Sequence, residues 1–164
     1  MAAQAPDYFN QIQTICHLAG IRVVYTPCLP KAAISGATRW LNNTPLIQLS
    51  GRGKRNDKFW FSFFHEAGHI LLHGKKEIFL EEVEYKDKDM EKEKEADEFA
   101  IKWTFSHEEE AKLKEKLPIT EKGLYEYAES INTHPAIIIG RLQHNGDIPY
   151  SFGQKFFVPL DLSI

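Results

Sequence analysis

The sequence predicts an α+β fold: a small antiparallel sheet packed on a buried helix, with additional C-terminal helices. Three observations carry this. The β-branched run IRVVYTP and the two extended segments in ISGATRWLNNTPLIQLSGRG lie close together early in the chain. The stretch KFWFSFFHEAGHILLHG, residues 58–74, is apolar on most sides, which marks a central buried helix. Further on, apolar residues recur at helical spacing, with capping residues between the runs.

Taken in order, Pro6 and Asp7 open a first helix, YFNQIQTICHLAG, that ends at Gly20. A strand follows at 21–26. Two more strands are joined by a turn at Asn42-Asn43-Thr44-Pro45. Asn56 or Asp57 caps the central helix and Gly74 ends it. KKEIFLEEVEYKDKDMEKEKE is strongly charged and reads as a solvated connector running into an exposed first helical turn. The next helix spans roughly 89–105, with Ala96, Phe99, Ala100 and Trp103 as its inward stripe. SHEE at 106–109 has the capping-box pattern, and its short helix stops before Pro118. Thr120 caps a helix through about Ile131, and Thr133 with Pro135 opens PAIIIGRLQ, which ends near HNG. The tail IPYSFGQKFFVPLDL adds an irregular strand. No repeat and no linker divides residues 1–164, so one domain is expected. The start, almost straight into a helix, fits a segment cut from a longer chain.

Composition narrows the function classes. Of 164 residues 43% are hydrophobic, enough for a core without disulfides. The net charge of -3 offers no basic field for nucleic acid. Two cysteines, Cys16 and Cys28, without CxxC spacing fit free thiols in a reducing cytosol. No apolar run is long enough to span a membrane, and MAAQAPDYFNQ lacks the regions of a signal peptide. A cytoplasmic protein is expected.

The chemistry lies in the central helix. His65, Glu66 and His69 spell HExxH. Residues four apart share one helix face, about 6 Å apart along the axis, so both imidazoles can converge on one metal ion. Zinc takes two such nitrogens, and Glu66 beside them can take a proton from water and pass it to a leaving amine. Ala67 and Gly68 in the spacer leave room for the metal and for close packing. His73 repeats the spacing, but it lies about 12 Å along the axis from His65. It therefore falls outside the ligand set, and its place near the negative end of the helix dipole explains it.

A hydrolytic zinc site needs a third protein ligand. EKEADEFA at 93–100 offers Glu93, Glu95, Asp97 and Glu98. At about 100° per residue, Glu93 and Asp97 flank the inward stripe together, Glu95 falls on the other flank and Glu98 faces away. Glu93 is the expected ligand, with Glu95 as the alternative. Asp97 would accept the second N–H of a ligating histidine.

HEAGHILLH followed by EKEADEFA resembles the ImmA/IrrE-type metallopeptidases, whose pattern is HExxH, then Glu, then Ala with Asn or Asp, then Phe-Ala. The likeness covers about residues 20–145. HPAIIIGRLQHNGDIPYS further resembles the branch in which this domain follows an XRE-type helix-turn-helix, as in large HigA-like antitoxins. The resemblance implies a zincin-like fold, zinc held by His65, His69 and Glu93, and Glu66 as catalytic base. It also implies a protein partner, a helix-turn-helix regulator relieved of its repression. This chain shows no helix-turn-helix and no basic recognition helix, so DNA binding is not carried over to it.

A tetrahedral oxyanion needs a donor besides the metal. His134 is the first candidate, followed by Arg141 and Tyr150, and ATRW at 37–40 could act as an edge strand that pairs with an extended substrate. Two function classes follow. One is a cytosolic zinc endopeptidase acting on a regulatory protein. The other is a non-catalytic sensory or interaction domain of an antitoxin or repressor that retains the metal site.

Overall fold

Phe9, Ile12 and Cys16 recur at helical spacing, and all three are buried on one face of α1, Tyr8–Leu18. The structure is a computed structural model that describes residues 8–26, 35–50, 55–75, 79–80 and 87–159. Pro6, Asp7 and Cys28 lie outside these residues. Gly20, at φ 78°, closes α1, and the Ile21 N–H donates to the Cys16 carbonyl.

Strand β1 is Arg22–Tyr25, β2 is Gly36–Leu41, β3 is Thr44–Leu49 and β4 is Phe79–Leu80. Their order in the sheet is β1-β3-β2-β4. β2 pairs antiparallel with both β3 and β4, but β1 runs parallel to β3, with Val23 opposite Ile47. The sheet is therefore mixed, because the β2–β3 hairpin inserts its second strand beside β1. The hairpin turn is Asn42-Asn43 alone. Asn42 takes the left-handed conformation at φ 59°, while Thr44 and Pro45 already pair with Leu41 and Trp40.

The charged connector is not wholly solvated loop. Phe79 and Leu80 pair with Thr38 and Ala37. Consequently β2 is not an edge at Ala37-Thr38, and the ATRW edge expected from the sequence is covered over half its length.

The central helix, α2, is Asn56–His73. Its N-cap is Arg55 without a side-chain cap bond, so neither Asn56 nor Asp57 caps it. The Asn56 side chain instead ties down the tail: its Nδ2 donates to the Phe156 carbonyl and its Oδ1 accepts from the Val158 N–H. Phe59, Trp60 and Phe63 are buried, and each such burial stabilises by about 1.5–3 kcal/mol.

The next helix, α3, is Asp87–Thr104, beginning two residues earlier than expected. Ala96 and Ala100 are buried, but Trp103 is 58% exposed and leaves the inward stripe. Ile101 and Phe105 are buried instead. The buried face is thus turned toward the Glu93–Asp97 flank. Gly68 sets this approach: a Cβ there would lie 3.2 Å from Ala96 Cα and 3.2 Å from Phe99 Cβ.

Three further helices are α4, His107–Lys114, α5, Glu121–Ser130, and α6, Pro135–Asn145. The Ser106–Glu109 capping box forms, and the Thr120 hydroxyl caps α5 at the Gly123 N–H. His134, rather than Thr133, caps α6. Among its described residues, which end at 159, the tail holds a 3-10 turn, Gln154–Phe156, and one bridge between Pro159 and Arg55 in place of a strand. Among the described residues no helix is long and apolar enough to cross a membrane.

Candidate metal centre

Two helices and one strand build the site. From α2, His65 Nε2 and His69 Nε2 lie 3.0 Å apart, as the i, i+4 spacing requires. From α3, Glu93 Oε2 lies 3.2 Å from His65 Nε2, and Glu93 Oε1 lies 3.4 Å from His69 Nε2. One donor atom from each of these three residues falls within 4.8 Å of the others. Both histidines are buried and Glu93 is half-buried.

The donor set suits a cation. Asp97 Oδ1 lies 2.9 Å from His65 Nδ1, so the proton of a neutral ring sits on Nδ1 and Nε2 turns a lone pair inward. Glu93 Oε1 is buried and makes no hydrogen bond among the described residues. Burial alone would raise the Glu93 pKa, but His65 and His69 beside it pull it down to about 2. Burial also holds His69 below its ordinary value, against the pull of Glu93, which keeps the imidazole neutral and able to ligate. Lone pairs and a carboxylate facing one another in a buried site repel unless a positive charge lies among them. His65, His69 and Glu93 could therefore hold a metal ion.

Glu66 is fully buried beside this set. The Thr38 hydroxyl, from β2, donates to Glu66 Oε2 at 2.5 Å and lies 3.1 Å from the Glu66 carbonyl. Gly36 lies two residues before Thr38 on the same strand face, and a Cβ there would come within 2.6 Å of Glu66 Oε1. β2 thus grips the carboxylate and leaves it space. Gly36 was not expected at the site, and Thr38 was expected only as part of the ATRW edge, not as a partner of Glu66. Their signal is a glycine and a threonine on the buried face of GATRWL, where apolar residues would otherwise sit.

The remaining expectations fare differently. Glu95, the alternative ligand, lies outside the converging set, with its Oε2 2.9 Å from His73 Nε2. His73 is more than a helix-end residue, since its Nδ1 lies 3.0 Å from His69 Nδ1. His134 does not join the centre. Its Nδ1 accepts from the Ala136 N–H at 3.1 Å and lies 3.2 Å from Asn56 Nδ2. Asn56 precedes His65 by nine residues, about 13 Å of helix. Burial lowers the His134 pKa, against the opposing charge of Asp57, and its Nδ1 serves as the cap of α6. Arg141 pairs with buried Glu110, its Nε 3.3 Å from Oε2, and Tyr150 is 71% exposed.

A buried histidine pair on one helix, a carboxylate from the next and a gripped glutamate define a domain of metallopeptidase type. The family model for the IrrE N-terminal-like domain, a peptidase family, matches residues 16–130. The chain belongs to this family, and its α+β fold is zincin-like accordingly. No curated protein matches it.

Proposed function

We propose that the chain is a cytoplasmic zinc-dependent endopeptidase that acts on a regulatory protein, such as a helix-turn-helix repressor, in transcriptional or toxin–antitoxin control. One observation carries the reading: Glu66 is fully buried one residue from His65 and held by the Thr38 hydroxyl. A buried carboxylate in that place serves better as a base than as a surface charge.

His65, His69 and Glu93 would hold the zinc, and Asp97 would orient His65. Zinc bound there supplies Lewis acidity that polarises a peptide carbonyl and acidifies water. Glu66 takes the proton of the attacking water and hands it to the departing amine. Thr38 keeps that carboxylate aimed while the proton moves. The regulatory target rests on the family membership and on the likeness of HPAIIIGRLQHNGDIPYS to helix-turn-helix regulators.

The test is Glu66→Gln, which keeps the shape of the side chain and removes the base. Expected is loss of cleavage of the repressor-type partner at unchanged zinc content. Full cleavage by the variant sinks the endopeptidase reading. Unchanged regulation without cleavage in either protein supports a non-catalytic sensory domain instead.

A further inference from the structure

His73 is 3% exposed at its side chain, although it stands in the last turn of α2 where neighbouring Leu71 and Leu72 are exposed. Its ring lies 5.1 Å from that of His69, with the two Nδ1 atoms 3.0 Å apart. Only one of those two nitrogens can carry the proton between them. The other end of the His73 ring decides which. Nε2 of His73 lies 2.9 Å from Glu95 Oε2, and an ionised carboxylate only accepts. The proton of a neutral His73 ring therefore sits on Nε2, and His73 Nδ1 is an acceptor. His69 Nδ1 must donate to it, which leaves the His69 lone pair on Nε2. That atom faces His65 Nε2 and Glu93 Oε1.

We propose that His73, braced by Glu95, is a positioning residue for the metal centre, fixing the tautomer and ring direction of His69 so that its Nε2 is presented to the ion. The proposal rests on the metal-site reading above. It gives the two histidines of HExxH parallel support from α3. Asp97 orients His65 directly, and Glu95, two residues earlier, orients His69 through His73. Without His73 the acceptor at His69 Nδ1 is lost, and the tautomer with its proton on Nε2 cannot ligate through that atom. Outer partners of this kind are worth about 10–100-fold in metal affinity.

Zinc affinity, measured by competition with a chromophoric chelator, tests this on the intact chain. His73→Phe keeps the ring volume and removes the acceptor. His73→Asn puts an amide oxygen near the place of Nδ1. His65→Ala serves as the ligand control, and circular dichroism of each metal-free variant checks folding. Expected are about 10–100-fold weaker zinc binding by H73F and near-wild-type binding by H73N. Nitrogen-15 spectra of the metal-free protein at neutral pH should show His69 protonated at Nδ1 in wild type and H73N, and a mixture of tautomers in H73F. Wild-type affinity and an unchanged His69 tautomer in H73F overturn the proposal. So does H73N binding as weakly as H73F, because packing rather than the acceptor would then matter. Failure of the metal reading is distinct: zinc would bind H65A as tightly as wild type, and the proposal would fall with it.

Discussion

Gly36→Ala probes how β2 holds the proposed base, Glu66. The glycine adopts no left-handed backbone conformation, so the added methyl acts through space alone. It would lie 2.6 Å from Glu66 Oε1 and 2.8 Å from Glu66 Cγ. Ordinary contact begins at 3.4 Å, so the oxygen must retreat by about 0.8 Å, the difference between 3.4 and 2.6. Glu66 has no solvent to retreat into, and the Thr38 hydroxyl ties its other oxygen at 2.5 Å. The carboxylate must leave its rotamer or β2 must shift. A displacement near 1 Å in a reacting group costs about 10²-fold, or roughly 2.7 kcal/mol of barrier. Overpacking should cost a further 1–3 kcal/mol or so of stability. The three atoms nearest the added methyl all belong to Glu66 rather than to a metal donor, so metal content should stay at the wild-type level. The assay is kcat/KM on a peptide substrate selected with the wild-type protein, alongside zinc content and thermal melting. Wild-type kcat/KM in the folded, zinc-loaded variant would refute the role given to Glu66. Loss of zinc would instead place the strain at the metal donors.

Other outcomes follow from the same structure. Chelation of a metal present at 100 times its Kd should remove about 2.7 kcal/mol, or lower Tm by about 5–11 °C in differential scanning calorimetry. Because His69 is held below its ordinary pKa of 6.5, a metal bound there should be retained at pH 6.5 and released only at lower pH, as dialysis against metal-free buffer would reveal. Glu110 is buried, with Lys114 at 2.8 Å, Arg141 at 3.3 Å and Asn145 at 2.6 Å. Burial would raise its pKa, but these partners together lower it. Its contribution is therefore complete above the ordinary value of 4.5 and is lost as pH falls through the lower folded value. Urea melts of Glu110→Gln should show about 1–3 kcal/mol less stability at pH 7 and a flatter decline below pH 4.5 than wild type.

The amino-acid sequence by itself determined what depends on local spacing. HExxH fell on a helix because its flanks are apolar at every turn, and the i, i+4 period alone brings the two imidazoles together. The Ser106–Glu109 and Thr120 caps were legible because a cap is a bond within one helical turn. Glu93 was legible through helix phase, even though Trp103, included in the inward stripe, is exposed. Tertiary structure decided what depends on atoms distant in the chain. The parallel β1–β3 pairing follows from where the hairpin docks, which no local period encodes. His134 became a cap because its ring meets Asn56, 78 residues away. Gly36 and Thr38 reach Glu66 only once β2 lies across α2. His73 was set aside on its axial distance from His65, which is sound for a ligand. Its contact with His69 lies within α2 at the i, i+4 spacing, but its contact with Glu95 exists only because α3 closes onto α2 at Gly68, and that second contact has no sequence period of its own.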